Sequence, residues 1–169
     1  ALATLPLALA PVTTMLVTVP AARLMQRRGR KVGFALGAVL GMVGGLVGCA
    51  ALFNEHFALL CVGAVGIGAV NGFSTYYRFA AAEVVDESRR SRAISLVMAG
   101  GIVAAVAGSN LVSWSRGLFP EHLFAGSYLA IAGIQVLVLC ALSFVRFPAP
   151  SVAESAGAVS YTHLTLPTI

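Results

Sequence analysis

Residues 1 to 20 carry no charged side chain, and stretches nearly as apolar recur to the end of the chain. A hydrocarbon layer about 30 Å thick is crossed by a helix of about 20 apolar residues. Five segments meet or approach that length, at about 1–25, 32–53, 57–84, 93–114 and 124–147. Such segments need either lipid or a large soluble core around them. Only 10% of the residues are charged, against 59% hydrophobic, whereas a soluble domain averages about 25% charged. Too few charges remain to cover a soluble surface, so the sequence predicts an all-α membrane protein with five transmembrane helices. Pro6, Pro11 and Pro20 fall inside the first segment, where membrane helices tolerate proline better than soluble ones do. Pro148 is expected to stop the last segment.

The breaks between segments set the orientation. Arg23, Arg27, Arg28, Arg30 and Lys31 lie at the first, Arg89, Arg90 and Arg92 at the third, and Arg146 at the end of the last helix. The second break, Asn54–His56, has no Lys or Arg, and the fourth has only Arg116, near Glu121 and His122. Alternate breaks therefore hold nine positive residues against one, which places the first, third and last in the cytoplasm. Trp114 then falls at the outer interface, where an indole is favoured. The net charge of +5 sits at helix ends instead of on one amphipathic face, which argues for a lipid bilayer and against nucleic acid as the partner.

Cys49, Cys61 and Cys140 lie singly inside apolar segments. They have no CxxC spacing, and His56 and His122 fall in separate loops, so no metal centre and no cofactor is expected. No phosphate-binding glycine loop with lysine, no HExxH and no convergent Ser–His–Asp set occurs, so the chain does not read as an enzyme. Its glycines are patterned for helix contact. Gly33, Gly37, Gly41 and Gly45 recur every four residues, with Gly44 and Gly48 beside them and Gly68 and Gly72 in the next segment. Gly101, Ala104, Ala105 and Gly108 form a small-residue face on the fourth segment. Small side chains at this spacing let helix backbones approach closely in lipid.

The run from Arg23 to Lys31 reads RLMQRRGRK. Placed between two spanning helices, it resembles the loop between helices 2 and 3 of the major facilitator superfamily, G-x-L-x-D-R-x-G-R followed by Arg or Lys. Leu24, Arg27, Gly29, Arg30 and Lys31 match, while Ala22 replaces the first glycine and Gln26 the acid. Glu83 and Arg90 resemble the ends of E-x-x-P-x-x-x-R-G after helix 4, with Asp86 in place of Pro and Ser91 in place of Gly. The runs Tyr77–Glu83 and Arg90–Ser95 are similar to a bacterial branch of permeases that includes riboflavin carriers. The resemblance implies helices 2 to 6 of an N-terminal six-helix half, and a small-molecule substrate moved by alternating access. It also implies missing partners, helix 1 and the C-terminal half. In that family the acid of the first motif joins a charge network that latches the cytoplasmic side, a charge Gln26 does not supply. Val62 stands where the family has an arginine in helix 4, and Gly108 is followed by Ser109 in place of the Gly-Pro of many antiporters.

Asn71, Thr75 and Arg78 stand at i, i+4 and i+7 on the third segment, with Ser74 beside them, so a helix puts them on one face. A charge inside the membrane faces a water-filled path or a partner, or reaches the headgroups along its own stem. With the family's helix 4 on the central cavity, Asn71 and Arg78 are candidates for the substrate path. Tyr76 or Tyr77 would add a stacking or hydrogen-bonding surface. Asn110 and Gln135 read either as interhelical hydrogen-bonders or, more sharply for Asn110, as ligand contacts. Glu83, Asp86, Glu87, Arg89, Arg90 and Arg92 form a solvated loop or, with the loop of Gln26, Arg27, Gly29, Arg30 and Lys31, a cytoplasmic gate.

Beyond Pro148 the character changes. Residues 149–158 read as the start of a cytoplasmic linker, and 159–169 as a non-native, adapter-like tail. The uncharged start lacks the basic region of a signal peptide and reads as a truncation within a helix. The expectation is a fragment of a multi-pass transporter of a bacterial inner membrane. The alternative is a small, complete membrane scaffold or assembly subunit. Further apolar segments encoded on both sides of the chain discriminate in favour of the first.

Overall fold

The computed structural model describes residues 4–145. Arg146, Pro148, the linker at 149–158, the tail at 159–169 and the outermost residues of the first and last segments lie outside the described residues. The described chain runs through α1 (Leu5–Arg28), α2 (Arg30–Phe53), α3 (Phe57–Ser74), α4 (Tyr77–Glu83), a 3-10 turn (Glu87–Arg89), α5 (Arg90–Ser115) and α6 (Ala125–Phe144). No strand occurs among the described residues. Five of its helical stretches are long and apolar enough to cross a membrane, α3 and α4 together making one of them. At 1.5 Å per residue, the 24 residues of α2 span about 36 Å, enough for a hydrocarbon core with some tilt.

Glycine makes the first reversal possible. Gly29 alone separates α1 from α2, with φ 89° and ψ 158°, and its N–H closes α1 on the Met25 carbonyl at 2.9 Å. A side chain at that φ is strained, which is why the turn of the basic motif carries glycine.

α2 is the centre of the bundle, packed on α1, α3 and α6. Its glycines are buried, but they do not serve one neighbour. Four residues turn a helix by about 400°, so a stripe at this spacing advances about 40° per step. Gly33 accordingly meets Met25, Gly37 meets Phe73, Gly41 meets Val70 and Gln135, and Gly45 meets the backbone of Tyr128 and Ala132. Gly44 and Gly48 lie backbone to backbone with Gly66 and Gly63 of α3. Gly68 and Gly72 seat α3 against Ala10, Thr13, Thr14 and Val17 of α1. There Thr14 Oγ1 donates to the Gly68 carbonyl, and to Ala10 in its own helix, at 2.9 Å each. Thr14→Val is expected to weaken the α1–α3 contact by about 0.6 kcal/mol, the usual worth of such a bond in a membrane protein. Reversible unfolding in mixed micelles would measure it, and a loss above about 2 kcal/mol would mean the side chain does more than bond.

α5 stands apart. It packs on α4 and on α6, none of its residues is buried, and Gly100, Gly101 and Gly108 have nothing within 4 Å where a side chain would extend. The small-residue face expected there therefore has no neighbour among the described residues. At one end α5 is clipped to α6: Ser115 Oγ donates to Ser127 Oγ at 3.1 Å, and Ser127 Oγ donates to the Val112 carbonyl at 3.4 Å.

The third segment departs from the expected uninterrupted helix over 57–84. It breaks at Thr75–Tyr76. Ser74 Oγ donates to the Asn71 carbonyl and Thr75 Oγ1 to the Gly72 carbonyl, both at 2.9 Å and both three residues back. Tyr76 N–H closes a tight turn on the Phe73 carbonyl at 3.2 Å. Thr75 and Tyr76 keep right-handed helical dihedrals, and Thr75 N–H still reaches the Asn71 carbonyl at 3.3 Å, so two successive hydroxyls competing for the backbone carbonyls interrupt the helix bonding only locally.

The ends of the bundle separate as the charge alternation requires. The Gly29 turn, the end of α4 and the end of α6 meet at one end through Arg30 and Lys31. At the other, the Phe53 ring lies 5.2 Å from Phe119 and 4.7 Å from His122. Behind the basic end sits the main apolar cluster, Ala21, Met25, Phe34, Phe73, Ala80 and Leu142.

Candidate functional site

The basic turn and the end of α4 are joined by two hydrogen bonds. Arg30 Nε donates to Glu83 Oε2 at 2.8 Å, and its terminal NH2 group pairs with Glu83 Oε1. The guanidinium and carboxylate meet as two parallel forks, the strongest geometry open to this pair. The Arg30 side chain is 25% exposed and Glu83 49%, so water screens the pair only in part. The neighbouring residue reaches another helix: Lys31 Nζ donates to the carbonyls of Ser143 and Val145, at 3.3 and 3.2 Å. Those carbonyls lie at the C-terminal end of α6, where a cation also meets the negative end of the helix dipole. Two consecutive residues of α2 thus hold the ends of α4 and α6.

The other members of the expected gate stay outside this contact. Gln26 and Arg27 are exposed on the last turns of α1. Arg90 faces only Glu87, at 3.9 Å and three residues away on an exposed surface, a contact worth little. The sequence identified the basic loop and Glu83 but not which arginine pairs. The fork to Arg30, not Arg27, follows from the Gly29 turn, which starts α2 at residue 30 and aims that side chain along the bundle end.

The polar stripe keeps its side. Asn71, Thr75 and Arg78 are all exposed, whereas Gly72, Phe73 and Ala80 are buried. Arg78 lies over the Phe79 ring at 5.0 Å and makes no ion pair with another described residue. The two tyrosines face away from the stripe. Tyr76 Oη donates to the Thr18 carbonyl of α1 at 2.9 Å, and Tyr77 packs its ring 4.7 Å from Phe34 of α2. Asn110 is exposed on α5 and its Nδ2 donates to Val106 of the same helix at 2.9 Å. No hydrogen bond among the described residues joins it to Asn71, Thr75 or Arg78. Gln135 meets Gly41 of α2. No cluster of His, Cys, Asp and Glu suited to a metal ion occurs among the described residues.

Beside α4 lies an open apolar groove of about 350 Å³, lined among others by Tyr77, Ala80, Ala81 and Val84, and across from them by Leu96 of α5 and Leu142 of α6. Sequence reasoning missed this space and the break that precedes α4. The tandem hydroxyls of Ser74 and Thr75 were the available signal for the break.

The chain is similar to several bacterial transporters. It is 38% identical over 162 residues to the riboflavin transporter RfnT of Brucella anthropi, an alignment covering 96% of this chain and 40% of that protein. It is 32% identical over 124 residues to the uncharacterized MFS-type transporter YddS of Bacillus subtilis, covering 67% of the chain and 28% of the relative. A second Bacillus subtilis protein, the uncharacterized MFS-type transporter YdeG, is 30% identical over 135 residues, covering 77% and 31%. The chain thus spans well under half the length of each of these relatives. No family model matches the chain, and no solved structure does.

Proposed function

The chain belongs to the major facilitator superfamily, and from that premise we propose that it forms part of the N-terminal half of a secondary transporter in a bacterial inner membrane, carrying a small organic solute by alternating access. The observation that carries this reading is the fork between Arg30 and Glu83. It ties the turn between two spans to the end of a third, at the end of the bundle that charge asymmetry assigns to the cytoplasm. Secondary transporters alternate by rocking one part against another around a midplane site, and a polar contact between helix ends is a means of holding one of the two states.

The substrate path runs along Asn71, Thr75 and Arg78, the exposed polar side of the third span. Tyr76 and Tyr77, placed on that path by the sequence, are turned to α1 and α2 and brace the span from behind, while Asn110 is satisfied within its own helix. Gln26, Arg27, Gly29, Arg30, Lys31, Glu83 and Arg90 make up the cytoplasmic side, with Arg30 and Glu83 as its working pair. Riboflavin is the first solute to test, because the relative aligned with 96% of this chain carries that name.

The test is uptake by a bacterial riboflavin auxotroph that lacks its own carrier and expresses the whole gene to which this chain belongs. Growth on low riboflavin is expected. Arg78→Ala should lower uptake about tenfold, the loss of one charge-assisted bond of about 1.5 kcal/mol, and Arg78→Lys should fall between, keeping the charge but losing the planar fork. Normal uptake in both variants would assign Arg78 to the headgroups instead of the path. No uptake of riboflavin or of any solute in a panel of small heterocycles would sink the transport reading.

A further inference from the structure

The open groove beside α4 has no charged residue in its lining, and Tyr77 brings its one hydroxyl. It runs to the basic end of the bundle. Val84 and Val85 stand just past α4, Val145 just past α6 and Ala93 in the first turn of α5, and all four line it. Charge asymmetry puts this end at the cytoplasmic headgroups. The segment between Val85 and Ala93, Asp86–Arg92, therefore starts and finishes at the mouth of the groove. Arg89, the N-cap of α5, and Arg92 continue the stripe of Ala93, Leu96 and Val97 at three- and four-residue spacing. Side chains on a helix lean toward its N-terminus, which for α5 is toward the headgroups. Both arginines are exposed, and neither makes an ion pair with a described residue. The other charges at the mouth are largely matched. Glu83 is taken by Arg30, and Glu87 lies 3.9 Å from Arg90. Lys31 stands at the far lip, its Nζ on the Val145 carbonyl at 3.2 Å. That leaves Arg89, Arg92 and Lys31 against Asp86 alone.

We propose that this groove seats one acyl chain of an anionic phospholipid of the cytoplasmic leaflet, with the lipid's phosphate held by Arg89 and Arg92. Hydrocarbon gains little by leaving a bilayer for an apolar groove, because lipid tails are as apolar as leucine. The groove therefore positions a chain without choosing the lipid. Headgroup charge makes the choice, as in basic pockets between spans on the cytoplasmic side. A zwitterionic headgroup carries its own cation to the two guanidinium groups, and an anionic one does not. A free phosphate ion would use the arginines and leave the groove empty, so the two features together select a lipid. Occupancy of this site depends on the membrane topology and not on the solute carried.

The test uses the full-length protein in nanodiscs of phosphatidylcholine and phosphatidylglycerol. Each lipid in turn carries a photoreactive diazirine midway along one acyl chain, and peptide mass spectrometry maps the residues it labels. Phosphatidylglycerol should label Ala81, Leu96 and Val97 at least about fivefold more than phosphatidylcholine at equal content, the worth of one well-placed arginine. Arg89→Gln with Arg92→Gln should bring the two lipids level at those residues and leave phosphatidylcholine labelling as it was. Should that variant fail to insert, Arg92→Gln alone should lower the preference at least about twofold, and Arg92→Lys should keep most of it. Ala93→Phe, which fills the mouth of the groove, should lower labelling of Leu96 by both lipids. Equal labelling by the two lipids in the native protein overturns the proposal and leaves the arginines as topology signals. Absence of label from the groove, because another part of the full-length protein fills it, also overturns it. So does displacement of the phosphatidylglycerol label by inorganic phosphate as readily as by unlabelled phosphatidylglycerol, which would make this a site for a soluble anion.

Discussion

Arg30→Glu and Glu83→Arg should each lower uptake by at least about tenfold, and the two together should restore at least half of it. Either single exchange puts like charges where the fork now closes. At about 4 Å and an effective dielectric near 20, two such charges repel by about 4 kcal/mol. Exposure discounts that figure, since Glu83 is about half exposed and free surface pairs are worth about 1 kcal/mol or less. A tenfold effect needs only about 1.4 kcal/mol of bias between the two states proposed for the transporter. The double exchange recreates an opposite pair on the same two backbones, so the fork can reform in the reverse sense. Glu83→Gln separates charge from shape: it keeps one acceptor and should lie between the native protein and Glu83→Arg. Initial uptake rates on all four members of the cycle give the coupling directly. A double variant as impaired as the worse single one would show that Arg30 and Glu83 act apart.

The parts of this molecule legible in the sequence are those set by solvent. Uncharged segments of membrane length can only be helices in lipid, and positive residues at alternate breaks can only sort to one side, so the five spans and the two ends of the bundle follow from composition along the chain. Glycine spacing announced close packing on α2, but not the partners. A stripe at four-residue spacing winds about the helix, and its partners depend on where α1, α3 and α6 lie, which local sequence does not fix. The candidate site was legible as residue types and not as pairs. Glu83 and the basic turn were both marked, yet the choice of Arg30 over Arg27 depends on the single-residue turn at Gly29. Likewise the polar stripe of Asn71, Thr75 and Arg78 follows from helical periodicity. The break at Thr75–Tyr76, by contrast, depends on two hydroxyls choosing backbone carbonyls three residues back, a local competition that periodicity does not register.

Gly44→Ala is expected to be among the most damaging single-methyl additions in the bundle. A Cβ at Gly44 would stand 2.8 Å from Gly66 Cα and 3.0 Å from the Gly63 carbonyl oxygen, where non-bonded carbon atoms prefer about 3.5–4.0 Å. The obstacle is backbone on both sides, so no rotamer change relieves it, and α2 and α3 must part by a good fraction of an ångström. Overpacking of this kind costs about 1–3 kcal/mol, and the lost contact runs the length of the α2–α3 seam. Gly66→Ala meets the same wall from the other helix, its Cβ falling 2.6 Å from Gly44 Cα. Because either methyl forces the same separation, the pair should cost less than the sum of its singles, a coupling of the sign expected for residues in direct contact. Gly133→Ala on α6 is the control: nothing lies within 4 Å of its added methyl, and replacing a mid-helix glycine should gain about 0.5–1 kcal/mol. Unfolding midpoints in detergent, with membrane expression levels alongside, would order the variants. Because α2 carries Arg30 and the span of α3 leads on to Glu83, parting the two helices should also shift Arg30 from Glu83 and lower uptake beyond what the expression level explains. Equal stability of Gly44→Ala and Gly133→Ala would mean that α2 and α3 do not touch backbone to backbone, and the proposed role of the Arg30–Glu83 pair would lose its footing.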